Sequence, residues 1–305
     1  MAVPMARRAP MVERGRQMMQ KMRMLALQAG LVGLAAGCVP HVPPGPDLPE
    51  SPGQCCIPQR ERSEALIAMY DDVAPVLLAL PRDLYLRQGF LSQDPAVAAR
   101  IAAQAQPLDL ILVSFKHHLA GRLSQGYLNH AALWLGTEAQ LHALDLWDDP
   151  AILPLQQRIR AGAVVIEANG RPVELSTPVA ALNADGIVLL RPRGIGRAER
   201  AASLRRLAGL DGMPFDPRFN AATPDCVYCT ELADRAMPDL HLPRQDIYGR
   251  PVIQPDSIVI ESLAGRVSLD MVDFLYADRQ GWQVGDADLL SRTIAANWPP
   301  HPDRP

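Results

Sequence analysis

The chain has 305 residues, 48% hydrophobic and 21% charged, which is enough apolar material for one large domain or two small ones. Its net charge of −3 hides an asymmetry: residues 1–37 carry six basic groups against Glu13, a balance of +5 that leaves −8 for the remainder. An acidic body of this kind offers no footprint for a phosphate backbone, so nucleic acid is set aside as a partner.

The chain opens with Arg7, Arg8, Arg14, Arg16, Lys21 and Arg23, followed by the apolar run Leu25 to Ala36 within "MRMLALQAGLVGLAAGCVP". A run of about 12 residues is too short to span a bilayer but suits a signal-peptide core. Its end, Ala35-Ala36-Gly37-Cys38, resembles a bacterial lipobox, in which the cysteine is diacylated and becomes the mature N-terminus. Residues 1–37 are therefore expected to be a lipoprotein signal peptide, with Cys38 the lipidated residue and the membrane reached through that anchor. Val39 rather than aspartate follows it, which in a Gram-negative host directs the protein to the periplasmic face of the outer membrane. Residues 38–60 are rich in Pro and Gly without a hydrophobic period and read as an extended tether. Cys55 and Cys56 lie there. Adjacent cysteines rarely bond each other, so pairing elsewhere or with another chain is expected.

Residues 61–106 read as a helical extension, with Leu66, Ile67, Tyr70, Val73, Val76 and Leu77 at helical spacing. "DPAVAARIAAQA" follows, Asp94 capping a helix that opens on Pro95. Then come four β-rich apolar runs, at 108–115, 129–136, 163–168 and 186–193. "RAERAASLRRLAGLDG" is an amphipathic helix, and "DCVYCTELADRA" (225–236) is another, expected to start at Pro224 and Asp225. Residues 265–278 read as a closing strand, and the Pro-rich end from 296 to 305 as a disordered tail. Helices before and after a run of strands, without regular alternation, indicate α+β.

The sequence has no Gly-x-Ser-x-Gly elbow, no His-Glu-x-x-His helix and no phosphate-binding Gly-rich loop. Lys21 and Lys116 are the only lysines, which weighs against lysine catalysis. Cysteine and histidine remain. Cys229 falls in or near the first turn of its helix, where free N–H groups favour a thiolate that can attack a carbonyl carbon. Cys226 and Cys229 also form a C-x-x-C pair, so redox exchange and half of a zinc site stay open, as does an inert core thiol. Six of the seven histidines fall in ends, turns or loops; His130 opens the strand "NHAALWLG". Glu167 ends the apolar strand "VVIEA", where an unpaired carboxylate would be costly. As acceptor from the second ring nitrogen of His130, it would complete a nucleophile, base and orienter series.

The succession "NHAALWLG", "VIEA", "GMPFDPRFN" and "YCTELA", with "LDLILV" before and "VIQPDSI" after, resembles the YiiX-like group of the permuted NlpC-type papain-like superfamily. Lecithin:retinol acyltransferase relatives are further off. The likeness covers roughly residues 108–260, and implies a papain-like antiparallel sheet with packed helices in a catalytic domain at 107–295. By position it makes Cys229 the nucleophile, His130 the base and Glu167 the third polar residue, with Asp109 and Tyr228 as substrate-binding. Leu108-Asp109 replaces the group's usual Gly-Asp, Asn129 replaces serine, and residues 137–162 form a long insertion. The resemblance implies an envelope cysteine hydrolase or acyltransferase acting on a small-molecule, peptide or lipid substrate, with no cofactor and no metal. A ligand-binding lipoprotein without turnover, and a redox or structural C-x-x-C lipoprotein, are the alternatives.

Overall fold

The computed structural model describes residues 41–45, 48, 56, 87–117, 124–247 and 249–298, all within the compact unit Pro40–Pro305. The expected signal segment with Cys38, most of the tether with Cys55, and residues 61–86 lie outside them. Cys56 is disulfide-bonded, to a partner outside the described residues. Among the described residues no helix is long and apolar enough to cross a membrane.

Helix α1 (Pro95–Gln104) begins as the sequence indicates: Pro95 takes the first turn and the Asp94 carboxylate accepts from the Ala96 N–H at 2.8 Å. Strands β1 (Leu110–Ser114) and β2 (His130–Trp134) follow. The insertion then forms two short helices, α2 (Glu138–Ala143) and α3 (Gln156–Arg160), which bury Leu141, Trp147, Ile152, Leu155 and Ile159. Next come β3 (Val165–Glu167), β4 (Glu174–Ser176), the single turn α4 (Pro178–Ala181), β5 (Gly186–Pro192) and α5 (Arg197–Ala208). After a long loop the chain makes α6 (Cys229–Ala236), the hairpin β6 (Gln245–Ile247) and β7 (Arg250–Val252), and α7 (Pro255–Leu263). Strands β8 (Leu269–Asp278) and β9 (Gly281–Val284) and helix α8 (Ala287–Ala296) complete the unit.

Seven strands form one antiparallel sheet in the order β4-β3-β2-β1-β5-β8-β9, so the fold is α+β as expected. The middle strand β1 and its neighbours β2 and β5 are buried nearly end to end. Such strands need cover on both faces, which the helices provide. The short strands β4 and β9 lie at the margins, where little backbone is left to pair with another chain.

Three sequence expectations change here. The described part of the helical extension is not separate from the sheet domain: Leu91, Val97 and Ile101 belong to the main core. Arg100 and Gln104 of α1 hold Asp273 of β8, and Asp94 accepts from the Trp282 indole of β9. The segment at 265–278 does not close the sheet, because β9 follows it in a hairpin and α8 comes after. The tail also starts later than 296. Asn297 and Trp298 are buried, and Asn297 exchanges hydrogen bonds with the backbone of Val42.

Gly186 begins β5 against the loop that leads into β2. A Cβ there would come within 2.2 Å of the Tyr127 hydroxyl and 2.9 Å of its ring, and Tyr127 is fully enclosed. Gly186→Ala should therefore cost about 1–3 kcal/mol of stability. The measurement is the urea midpoint, which should fall without a change in slope.

Candidate active site

Strand pairing fixes the site. Ala132 on β2 faces Glu167 on β3, and Val165 faces Ser176 on β4. Side chains alternate along a strand, so His130, two residues from Ala132, and Ser176, opposite Val165, share a face with Glu167. Diagonal neighbours on one face lie within reach of long side chains. A row results. His130 Nε2 is 2.8 Å from Glu167 Oε2, and the Ser176 hydroxyl donates to Glu167 Oε1. Glu167 is 4% exposed and His130 5%, so the pair stands out of water.

Helix α6 packs against β2 and brings the thiol. Its buried stripe is Cys229, Leu232, Ala233 and Ala236, spaced as one face of a helix requires. Cys229 is the first helical residue, and its thiol stands close enough to the His130 ring to help raise the imidazole pKa. Since Nε2 faces Glu167, Nδ1 is the nitrogen left for the thiol. Phe115, just past β1, stacks on the imidazole at 5.2 Å between ring centres. Asn129 holds it there, accepting from the Phe115 N–H at 2.8 Å.

The helix starts later than Pro224 and Asp225 suggest. Val227 bridges to Phe215 in extended form, and Tyr228, the capping position, is extended as well. Arg235 occupies the carbonyls that an earlier helical turn would have used. It donates to the carbonyls of Thr223, Pro224 and Cys226 at 2.6, 2.9 and 2.7 Å. Glu231 anchors that guanidinium at 2.6 Å and also accepts from the Tyr228 N–H at 3.4 Å, the returning half of a capping box. Cys226 is thus in the loop, not on the helix with Cys229. Burial and the nearby carboxylates of Asp216 and Glu231 push its thiol up.

The structure brings Cys229, His130 and Glu167 together, and encloses Asp109 and Tyr228 with partners of their own. Asp109 precedes β1 at the end opposite His130, four residues before Val113, its partner, or about 13 Å along the strand. It is fully buried and paired with Arg191 at 2.7 Å, a structural ion pair. Tyr228 is 1% exposed and its hydroxyl accepts from the Ile253 N–H at 2.8 Å, so the ring faces inward. Ser176 and Phe115 were not singled out in the sequence. Ser176 sits before a Thr-Pro helix start, where serine reads as a turn residue, and only the β3–β4 register gives it a carboxylate to hold. Among the described residues no group of three or more His, Cys, Asp or Glu could hold a metal ion.

Burial alone would lower the His130 pKa, but hydrogen bonds to Cys229 and Glu167, and their charges, raise it to about 9. The folded value lies above the unfolded value near 6.5, so this contribution to stability is fully present below pH 6.5 and is lost as pH rises through 9. It amounts to at most about 3 kcal/mol. Denaturation from pH 6 to 10 should show this decline in the wild type and a much flatter profile in Glu167→Gln. Parallel profiles would remove Glu167 as the partner of the imidazolium. No family model, no curated protein and no solved structure matches the chain.

Proposed function

We propose that the protein is a cysteine hydrolase or acyltransferase of the permuted papain-like kind, acting at an amide or ester through a thioacyl intermediate. One observation carries the reading: a single buried imidazole is shared between a thiol at the first residue of a helix and a carboxylate. Order along the chain supports it too, with the strand-borne histidine before the helix-borne cysteine in an antiparallel sheet.

In this reading the Cys229 thiol gives its proton to His130 Nδ1 and the sulfur attacks the carbonyl carbon. The first-turn amides of α6 are the donors nearest the developing oxyanion. His130 then protonates the leaving amine or alcohol, while Glu167 stabilises the imidazolium and keeps its ring oriented. Ser176 holds Glu167 by its other oxygen, leaving Oε2 for the ring. Water, or an acceptor hydroxyl or amine, releases the acyl group and restores the thiol. Cys226 has no part in these steps.

The test is intact-mass analysis during alkylation with iodoacetamide at pH 6.5. The wild type and Cys226→Ser should gain one adduct quickly, and Cys229→Ala should not. His130→Ala should slow the reaction by about 100-fold, and Glu167→Gln by less. Labelling first at Cys226, or resistance of both thiols until a reductant is added, would end the proposal.

The lipobox-like segment adds the location: an envelope lipoprotein, acylated at Cys38, with the domain on a tether. Cell fractionation should find the wild-type protein with membranes and Cys38→Ser released from them. Membrane association unchanged in that variant would refute the anchor.

A further inference from the structure

Behind the imidazole lies a second buried polar cluster that the proposed chemistry does not use. The connection into β2 ends with Gly126, Tyr127 and Leu128, which fold around the side chain of Asp256 in the first turn of α7. Asp256 Oδ2 accepts from the Tyr127 N–H at 2.8 Å and from the Trp298 indole at 2.6 Å. Its Oδ1 accepts from the Leu128 N–H at 2.8 Å. Gly126 has φ +87°, and a Cβ there would come 2.3 Å from Asp256 Oδ2. The approach of backbone to carboxylate is thus closer than a side chain permits. Two residues beyond Leu128 the chain enters β2 at His130.

We propose that Asp256 is a positioning residue of the Cys229–His130 pair, holding the mouth of β2 as a carboxylate and releasing it on protonation. The inference rests on the reading of that pair as the reacting groups. Its chemistry is one of donors and acceptors. Each oxygen of Asp256 faces at least one N–H. Oδ2 already accepts from two N–H groups, so a proton there displaces one of them, and a proton on Oδ1 makes it a poorer acceptor for the Leu128 N–H; either way the hold on the loop loosens. A displacement at Leu128 passes along extended backbone to His130, whose bond to the thiol tolerates little misplacement.

The groups around Asp256 set where this happens. Burial pushes the carboxyl up to about 6, against the three N–H donors and the Lys116 ammonium, which pull it down. Among the described residues, the titratable groups facing it are Lys116 and the Tyr127 phenol, both from the β1–β2 connection; Trp298, just past α8, contributes an uncharged indole. Lys116 donates to the Ser124 carbonyl at 2.7 Å, and burial lowers it only to about 8, so it stays charged while Asp256 titrates. The folded carboxyl lies above the ordinary 3.8, so ionising it costs the fold stability as pH rises from about 4 to 6. Asparagine keeps the size, removes that cost, and imitates the protonated state by turning an amide donor toward the loop.

The experiment is a pH titration of the His130 ring resonance in full-length protein labelled with 13C-histidine, assigned with His130→Gln. The wild type should show a step near pH 6 in addition to the one near 9. Asp256→Asn should lack the lower step, and its Cys229 should be alkylated by iodoacetamide at pH 7.5 at least about tenfold more slowly. Trp298→Phe removes a donor to the ionised carboxyl and should move the lower step to higher pH. That variant also serves if Asp256→Asn does not fold. Absence of the step in the wild type, its persistence in Asp256→Asn, or no movement in Trp298→Phe overturns the proposal. Failure of the Cys–His reading is separate: it would show as Cys229 labelling indifferent to His130→Ala, with the lower step still present.

Discussion

The 2.8 Å contact between His130 Nε2 and Glu167 Oε2 is the interaction on which the arrangement depends. An isolated charge of either sign at this depth would be expelled or neutralised, so the two groups are tolerable only together. Their meeting is decided by the β2–β3 register. A slip of one residue would turn His130 or Glu167 to the opposite face of the sheet and strand both. The neighbouring pairing to β4 then supplies Ser176, which occupies the carboxylate's other oxygen. Three strands are committed to orienting one ring.

Each half of the Cys229–His130 pair is fastened by its own charged group. On the thiol side, Arg235 gathers three loop carbonyls and so fixes where α6 begins. On the imidazole side, Asp256 gathers two amides and an indole and so fixes where β2 begins. One cation collects acceptors and one anion collects donors. The sheet and the helix meet with both the thiol and the imidazole at element starts, where backbone direction changes most sharply and most needs holding. Charge-assisted hydrogen bonds suit that task, since they hold direction as well as distance.

Much of this was legible in the sequence. Apolar runs bounded by Gly, Asn and Pro gave β1, β2, β3 and β5, because strands this buried carry their signal in composition. Asp94-Pro95 gave the start of α1, because a cap is a local event. His130 and Glu167 stand out as polar groups in apolar strands, and Cys229 by its place in the first turn of a helix. The start of α6 differs from its local signal for the opposite reason: Pro224 and Asp225 are a sound cap, but Arg235, ten residues on, takes the carbonyls. Asp109 and Tyr228 were assigned by likeness of position, and burial gives them structural partners instead. Ser176, Phe115 and Asp256 acquire their roles only through register and long-range packing, which no window of sequence displays. Helix α8 has a proper cap in Asp286, yet the Pro-rich end beyond it drew the tail boundary too early.

The order in which the chain can acquire its parts has a further consequence. Strand β5 pairs with β8, Gly186 opposite Tyr276, and Cys229 lies within the long excursion between them. Pairings this distant in sequence close slowly, since the entropy of the intervening loop must be overcome before they return any contact. The thiol therefore exists as an ordinary cysteine in every partly folded chain, and it meets its imidazole only once that excursion has been packed against the sheet. If the proposed function holds, thiol reactivity becomes a clock for the docking of that excursion. A stopped-flow refolding trace read by alkylation would lag one read by backbone signal, and the lag would measure how late the two halves of the sheet are joined.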